Sequence, residues 1–446
     1  MSSLSPSKPL SGFQDLLPSE ARAFQEAVER MTAVTRRYGY TPIDTPCIFL
    51  EKTLAAEGEL DKQLYRWKQG SKDVALRFDL TVPLARYVAA NENALVFPFK
   101  RVHCGKVWRG ERPQAGRYRE FTQFDFDIVG TDSPTADLET LLVAHDAMVA
   151  LDIEAFTIRV NDRALLNGVL GGMGLEEQGA DVLRVVDKLD KVGEDGVRKE
   201  LEETVGLKPS EVDAVLGFTR IATEVEGDEE VLNALEARFG DHPLVKLGLR
   251  RLRFLREGAL AVIPESRLKV DPAIARGLGY YTGPVFETTL DELPGIGSVC
   301  SGGRYDDLAS AYTKRKLPGV GASVGLSRLL VALKQLGAEA AKGKEIATVI
   351  LCLPGVSPIE GVRVRAELHA AGLDAELFPQ PPEDVDSKAT SVKALFKYAS
   401  QRGFRQAVIL GAEELAAGKV KLKDLEAREE VELARDALVA AVRGEG

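Results

Sequence analysis

Apolar residues at Phe24, Ala27, Val28, Met31 and Val34 fall at the three-and-four spacing of an amphipathic helix. Pro18 and a candidate N-cap at Ser19 open it, and Gly39 stops it. From 40 to 130 the pattern changes to short β-rich runs punctuated by Pro and Gly, at 40–49, 74–78, 99–108 and 118–129. Helical spacing returns over 134–151. Between about 175 and 265 the chain is charged and helix-forming, with little β-branched clustering and few aromatics, which reads as a helical insertion. Strand and glycine signals resume at 269–290 and 298–305, before a helix beginning near Gly325.

The pattern therefore predicts one interrupted domain over 1–336 (insertion 175–265), a charged Ala/Lys/Gly linker at 337–345 and a second domain over 346–446. In the second domain, strand candidates at 347–353, 374–378 and 406–410 alternate with helices at 358–371 and 392–402. That alternation predicts a compact α/β unit with a parallel component to its sheet. At 446 residues, two or three folding units are expected.

Charge alters this picture less than it first suggests. The 68 Asp and Glu outnumber the 58 Lys and Arg, giving a net charge of −10, which excludes attachment to nucleic acid by uniform basicity. No apolar run approaches the roughly 20 residues of a membrane-spanning helix, and residues 1–12 lack the order of a secretory signal. Cys47, Cys104, Cys300 and Cys352 are scattered without CxxC or metal-ligand spacing, which reads as unpaired thiols in a reducing cytoplasm.

Residues 100–119 depart from the overall acidity, with seven cationic side chains against the single carboxylate Glu111. Turn residues fill 110–116, so the segment reads as strand, loop, strand, a basic hairpin suited to a polyanion. Along the second strand, period-two alternation puts Arg119, Phe121, Gln123, Asp125 and Asp127 on one face and Glu120, Thr122, Phe124, Phe126 and Ile128 on the other. An aromatic platform, an amide, an arginine and carboxylates together can hold a base, a phosphate and a small polar ligand. A solvated sheet face with cross-strand ion pairs is the plainer alternative for any one of these charges.

The stretch WRGERPQAGRYREFTQFDFDIVG, carrying Arg109, Glu111 and Phe121, resembles motif 2 of class II aminoacyl-tRNA synthetases, specifically of the histidyl-tRNA synthetase family. GFQDLLP (12–18) resembles that family's N-terminal signature, and YGYTPIDTPCIF (38–49), with Pro46, its motif 1. RGLGYYTG (276–283) and SGGRYDDL (301–308) resemble its two histidine signatures, and GVGASVGLSRLL (319–330) its motif 3. The fold implied is an α+β catalytic domain with an antiparallel sheet and a helical insertion, followed by a C-terminal α/β anticodon-binding domain.

The resemblance also implies roles. Arg109 and Arg276 would meet the α-phosphate, Arg328 the γ-phosphate, Phe121 the adenine, and Glu111 ATP or its Mg²⁺. Asp79, Thr81 and Gln123 would hold the substrate α-amino group, Asp127 and Tyr281 the imidazole, and Tyr280 would line that pocket. Arg112 and Gln114 would approach the tRNA acceptor end.

Taken alone, Asp79 or Thr81 is a helix cap, Arg328 is a solvent-facing arginine opposite the stripe Leu326, Leu329, Leu330 and Leu333, and the SGGRYD glycines permit tight strand packing. The activity implied is ATP-dependent attachment of histidine to its tRNA through a histidyl-adenylate, by a homodimer without a membrane association. No general base is required, because the nucleophile is an ionised carboxylate, and no protein-held metal is expected. The alternative is the synthetase-like regulatory subunit of ATP phosphoribosyltransferase. That protein usually lacks the anticodon domain and the intact signatures present here.

Overall fold

A computed structural model describes residues 7–54, 59–113, 116–275, 281–338, 347–379 and 391–444. The chain divides into two compact units, Met1–Gly343 and Lys344–Gly446.

The first unit is organised on an eight-stranded sheet. In spatial order its strands are Thr41–Pro42, Phe99–Trp108, Glu120–Val129, Gly319–Gly325, Cys300–Tyr305, Pro284–Leu290, Phe156–Asp162 and Leu268–Val270. The six inner strands are antiparallel to their neighbours, while each short outer strand joins in parallel. The long hairpin Phe99–Trp108 to Glu120–Val129 runs for ten paired positions, Phe99 opposite Val129 and Trp108 opposite Glu120.

Alternation along Glu120–Val129 sends Phe124, Phe126 and Ile128 into the core with the helices Pro18–Arg37 and Pro134–Ala150, alongside Met31 and Met148. The opposite face carries Gln123, Asp125 and Asp127 and is left to the cleft described below. Helix Pro18–Arg37 starts two residues before the expected position: Leu17, not Ser19, is its N-cap, and its backbone amide donates to Glu20 Oε2 at 3.0 Å. Pro18 therefore occupies the first helical position, where the N–H it lacks would have been unpaired anyway.

Between Phe156–Asp162 and Leu268–Val270 the chain forms helices from Arg163–Gly172 to Pro243–Leu260. Their charged sequences still bury Val182, Leu201, Val212, Leu216, Leu232 and Leu252, and this apolar layer is continuous with the core beneath the large sheet. Gly248 permits a close helix–helix approach there, since a Cβ on it would lie 2.7 Å from Leu165 Cβ. A three-stranded antiparallel sheet, Ile48–Leu50, Lys72–Leu76 and Arg66–Gln69, completes the unit.

The second unit has a five-stranded sheet ordered Ala375–Leu377, Thr348–Cys352, Gln406–Leu410, Lys419–Asp424 and Glu430–Ala434. The first three strands are parallel and the last two are added antiparallel. Helices Pro358–Ala370 and Val392–Gln401 bury Val364 and Leu395 against Thr348–Cys352 and Gln406–Leu410, whose near-continuous apolar runs mark strands covered on both faces.

The glycines of SGGRYD show what sheet packing requires. A Cβ on Gly302 would stand 2.2 Å from Gly321 O and 2.6 Å from Ala322 Cα, both backbone atoms of the neighbouring strand. Gly302→Ala is expected to lower unfolding free energy in urea titration by about 1–3 kcal/mol. Gly172→Ala, with nothing within 4 Å of the added carbon, is expected to stay within about 1 kcal/mol of the parent and to favour stability.

Candidate active site

The polar face of Glu120–Val129 forms the floor of a cavity of about 380 Å³. Its lining includes Asp79, Thr81, Arg109, Gln123, Asp127, Tyr281 and Arg328, so these residues, separated by up to about 250 positions in the chain, converge on one space. An adjoining cavity of about 140 Å³ is lined by Arg109, Glu111, Arg117, Phe121 and Arg328. Arg109, Arg117, Gln123 and Arg328 border both. Arg276, Tyr280 and Gln114 lie outside the described residues, and Arg112 is exposed and lines neither space.

Asp127 is positioned by three elements. Its Oδ1 accepts from the Tyr305 hydroxyl at 2.6 Å, and its Oδ2 lies 2.7 Å from Arg101 Nη2 in an ion pair whose angle falls short of a hydrogen bond. Room for the carboxylate comes from Gly321, where a Cβ would sit 2.0 Å from Oδ1. Arg101 has no exposed surface; it also lies 3.7 Å from Asp125 Oδ2 and donates to Leu80 O at 3.3 Å. Gln123 donates to Ser323 Oγ at 2.7 Å.

Asp79 uses both of its oxygens. Oδ1 accepts from the Val82 amide at 3.1 Å, capping the helix Thr81–Ala90, while Oδ2 is buried without a partner. Four buried oxygens lining the first cavity have no hydrogen-bond partner among the described residues: Asp79 Oδ2, Gln123 Oε1, Asp125 Oδ1 and Asp127 Oδ2. Such groups are costly unless a donor arrives, so the cavity is built for a cationic or multiply donating ligand.

Electrostatics agree with that reading. Burial pushes the Asp79 carboxyl up to about 6, against the lowering pull of the Val82 amide and Arg109. It pushes Asp125 up to about 7 although Arg101 draws it down, and raises Asp127 against the same arginine.

The adjoining space has the opposite character. Arg109 donates from Nε to Phe78 O at 3.0 Å and holds its guanidinium 5.2 Å from the centroid of Phe121. Glu111 lies 3.9 Å from Arg109 and 3.5 Å from Arg117. Arg328, on the first turn of Leu326–Gln335, donates to Ser298 O at 2.8 Å and faces the cavities, while Leu326, Leu329 and Leu333 are buried behind it. A carboxylate-floored pocket thus opens beside an arginine-lined one.

Several sequence expectations shift. Much of the positive charge in 100–119 is consumed internally: Lys100 pairs with Glu139, Arg101 with Asp127 and Lys106 with Glu120. The hairpin is therefore less of an open polyanion surface than its charge count suggests. Arg119, placed by alternation on the binding face, lines neither cavity. Its Nε donates to Glu111 O and its Nη1 to Ser11 O, while its amide donates to Gly12 O, anchoring the N-terminal segment.

Sequence reasoning missed Tyr305 and Arg101 as parts of the floor and Arg117 as a wall. For Tyr305 the available signal was its place within SGGRYD. His103 is structural: burial, then the charges of Arg101 and Arg77, push its imidazole down to about 4. Cys104 is held up to about 11 by burial. No helix among the described residues is long and apolar enough to cross a membrane.

Set beside known proteins, the first unit matches the family model described as histidyl-tRNA synthetase over residues 12–329, and the second an anticodon binding domain over 360–445. A cleft of this kind on a largely antiparallel sheet, followed in the chain by an anticodon-binding fold, defines the aminoacyl-tRNA synthetase class. The histidine–tRNA ligase of Rhodopirellula baltica is 43% identical over 444 residues, 97% of this chain and 98% of its own. That of Wolinella succinogenes is 42% identical over 422 residues, 94% of this chain and 93% of its own. The chain belongs to the histidyl-tRNA synthetase family.

Among solved structures, a histidyl-tRNA synthetase from Nostoc sp. PCC 7120 superposes with a TM-score of 0.86 at 32% identity, covering 100% of both chains. A Bacillus halodurans protein described as an ATP phosphoribosyltransferase regulatory subunit/histidyl-tRNA synthetase reaches 0.74 at 22% identity, over 92% of this chain and all of its own, a likeness of fold.

The raised Asp125 carboxyl has a measurable consequence. Its folded value, about 7, lies above that of an aspartate in the unfolded chain, so the contribution to stability is greatest at acid pH and is lost as pH rises through about 7. Asp125→Asn is expected to raise the unfolding midpoint of the ligand-free protein at pH 8, with the gain shrinking toward pH 5. Thermal melts of both proteins across that range check it.

Proposed function

We propose that the chain activates histidine with ATP and transfers it to its cognate tRNA, and that the two adjoining cavities divide the substrates between them. The observation carrying this reading is the juxtaposition of four buried oxygens that accept no hydrogen bond from the described residues with three arginines across a shared boundary. An amino acid bearing an ammonium group and an imidazole suits the first space, and a nucleoside triphosphate the second.

Within the first space, Asp79, Thr81 and Gln123 hold the α-ammonium. Asp127 and Tyr281 take the imidazole nitrogens, and the family resemblance gives Tyr280 a place in the lining of that pocket. Tyr305 and Arg101 fix the Asp127 carboxylate, so its direction is set before the ligand arrives. A site of this sort rejects apolar analogues strongly, because its own polar groups would be left buried and unpaired. In the second space Phe121 offers a face to adenine, and Arg109, Arg276 and Arg328 neutralise the phosphates.

The histidine carboxylate attacks the α-phosphorus, the bond to the bridging oxygen breaks, and pyrophosphate leaves. The nucleophile is already ionised, so the protein's work is alignment and charge neutralisation. The terminal ribose hydroxyl of tRNA then attacks the adenylate carbonyl and releases AMP. Glu111, half-buried between two arginines, suits a Mg²⁺ that arrives on ATP, since such ions take one or two protein carboxylates and keep phosphate and water ligands. Arg112 and Gln114 approach the acceptor end, and the Lys344–Gly446 unit reads the anticodon.

A homodimer is supported by the exposed apolar face of the three-stranded sheet. There Leu50 and Trp67 flank the buried Val74 in one row with Ile48 beside them, and Ile48, Leu50 and Trp67 are exposed.

Histidine-dependent ATP–pyrophosphate exchange, followed by charging of histidine tRNA, tests the reading; histidine binding without exchange would instead favour a regulatory protein. Arg328→Ala and Arg276→Ala are expected to reduce exchange by roughly 10²-fold or more while the fold persists by circular dichroism. Tyr281→Phe is expected to raise the KM for histidine by about tenfold or more while leaving that for ATP nearly unchanged.

A further inference from the structure

The lining of the first cavity, which holds Asp127, also includes Ile274 and Tyr281, which are separated by a stretch outside the described residues. The described backbone on either side is held by a single turn, Asn161 to Arg163, where the strand Phe156–Asp162 passes into the helix Arg163–Gly172. Asn161 Nδ2 donates to Pro272 O at 3.1 Å and to Ile274 O at 2.9 Å. Arg163 reaches both sides at once: its Nη1 donates to Ala275 O at 3.2 Å, and its backbone amide donates to Gly283 O at 2.9 Å. Asp162 caps the helix through the Ala164 amide at 2.7 Å, so the turn is itself fixed.

The charge on Arg163 is otherwise hard to account for. Burial lowers its guanidinium from the ordinary value, and its Nε is buried without a partner among the described residues. Among the described residues its side chain donates to a neutral carbonyl, that of Ala275. A desolvated cation is expensive, and an unbranched hydrocarbon side chain of similar length would fill the same volume without that cost. What such a side chain lacks is a donor for the Ala275 carbonyl.

We propose that Arg163 is a positioning residue for the amino-acid pocket. It sits outside the cavity lining, ties Ala275 to the turn that also holds Gly283, and so sets the placement of Ile274 and Tyr281 relative to Asp127. The inference rests on reading that cavity as the histidine pocket. The Tyr281 side is secured further by the Thr282 amide donating to Arg304 O at 2.8 Å and by Thr282 Oγ1 donating to Asp306 at 2.7 Å. On the other side Asn161 holds Pro272 and Ile274, and among the described residues Arg163 is what holds the Ala275 carbonyl.

The test compares full-length wild type, Arg163→Met and Arg163→Lys. Hydrogen exchange without substrates is expected to quicken about tenfold in Arg163→Met for peptides covering 271–275, with the helix Pro134–Ala150 unchanged and Arg163→Lys intermediate. In ATP–pyrophosphate exchange, Arg163→Met is expected to raise the KM for histidine on the order of tenfold to a hundredfold, with the KM for ATP within about twofold and partial rescue by lysine. Unaltered protection of 271–275, or equal rises in the two KM values, overturns the proposal. If wild type shows no histidine-dependent exchange, the reading of the cavity falls while hydrogen exchange still decides on Arg163. If Arg163→Met does not fold, the same measurements on Arg163→Lys decide, a selective histidine effect with faster exchange supporting the proposal and parent-like values overturning it.

Discussion

The site depends on one wholly buried cation. Arg101 lies beneath the cavity floor, paired with Asp127, near Asp125, and bonded to the Leu80 carbonyl just before the helix that Asp79 caps. Removing charges from water costs several kcal/mol per ion even after relaxation, and a buried pair recovers this only with good geometry. Arg101 keeps two neighbouring carboxylates tolerable in that setting, and their raised values show that it does not fully compensate them. The uncompensated remainder is available to a cationic ligand. The ligand-free floor is therefore held away from its electrostatic optimum, which is the condition under which binding energy can be drawn from it.

Shape follows from the same constraint. Gly321 leaves the space that the Asp127 carboxylate fills, Gly303 leaves space for the Tyr281 ring, and Gly302 lets two central strands meet. Each glycine sits on an inner strand, where loss of a side chain ordinarily weakens a sheet. At Gly321 and Gly303 the missing side chains leave room for functional groups arriving from elsewhere, Asp127 from the neighbouring strand and Tyr281 from the segment before Pro284–Leu290. Tyr305 does the corresponding work from the strand Cys300–Tyr305, reaching Asp127 across the intervening Gly319–Gly325.

Much of the architecture was legible along the chain because local periodicity and tertiary burial agree. The period-two face of Phe121, Gln123, Asp125 and Asp127 lines the two cavities, and the apolar alternates Phe124, Phe126 and Ile128 lie in the core. What periodicity cannot supply is partner choice. Arg101 and Arg119 count as two units of basic charge in the sequence, yet one is buried beneath the carboxylates and the other holds the N-terminal segment. Ser19 offered a better capping side chain than Leu17, but the helix starts earlier because Pro18 and Glu20 fit its first turn. The role of Tyr305 was hidden for the same reason: its partner is 178 residues away in the chain, and no spacing encodes that encounter.

Asp79 divides one carboxylate between two duties. One oxygen closes the first turn of Thr81–Ala90, and the other is buried without a hydrogen-bond partner among the described residues, in a residue that lines the cavity. That helix buries Leu84 and Val88 in a cluster with Val129, Ala309 and Leu317, so its first turn is tied to the far end of the sheet. On the proposed reading, an alanine at this position would remove a ligand contact and also a helix cap worth about 1 kcal/mol. Loss of affinity on truncating Asp79 therefore overstates what the carboxylate gives the ligand; asparagine, which can keep the cap while discarding the charge, separates the two contributions.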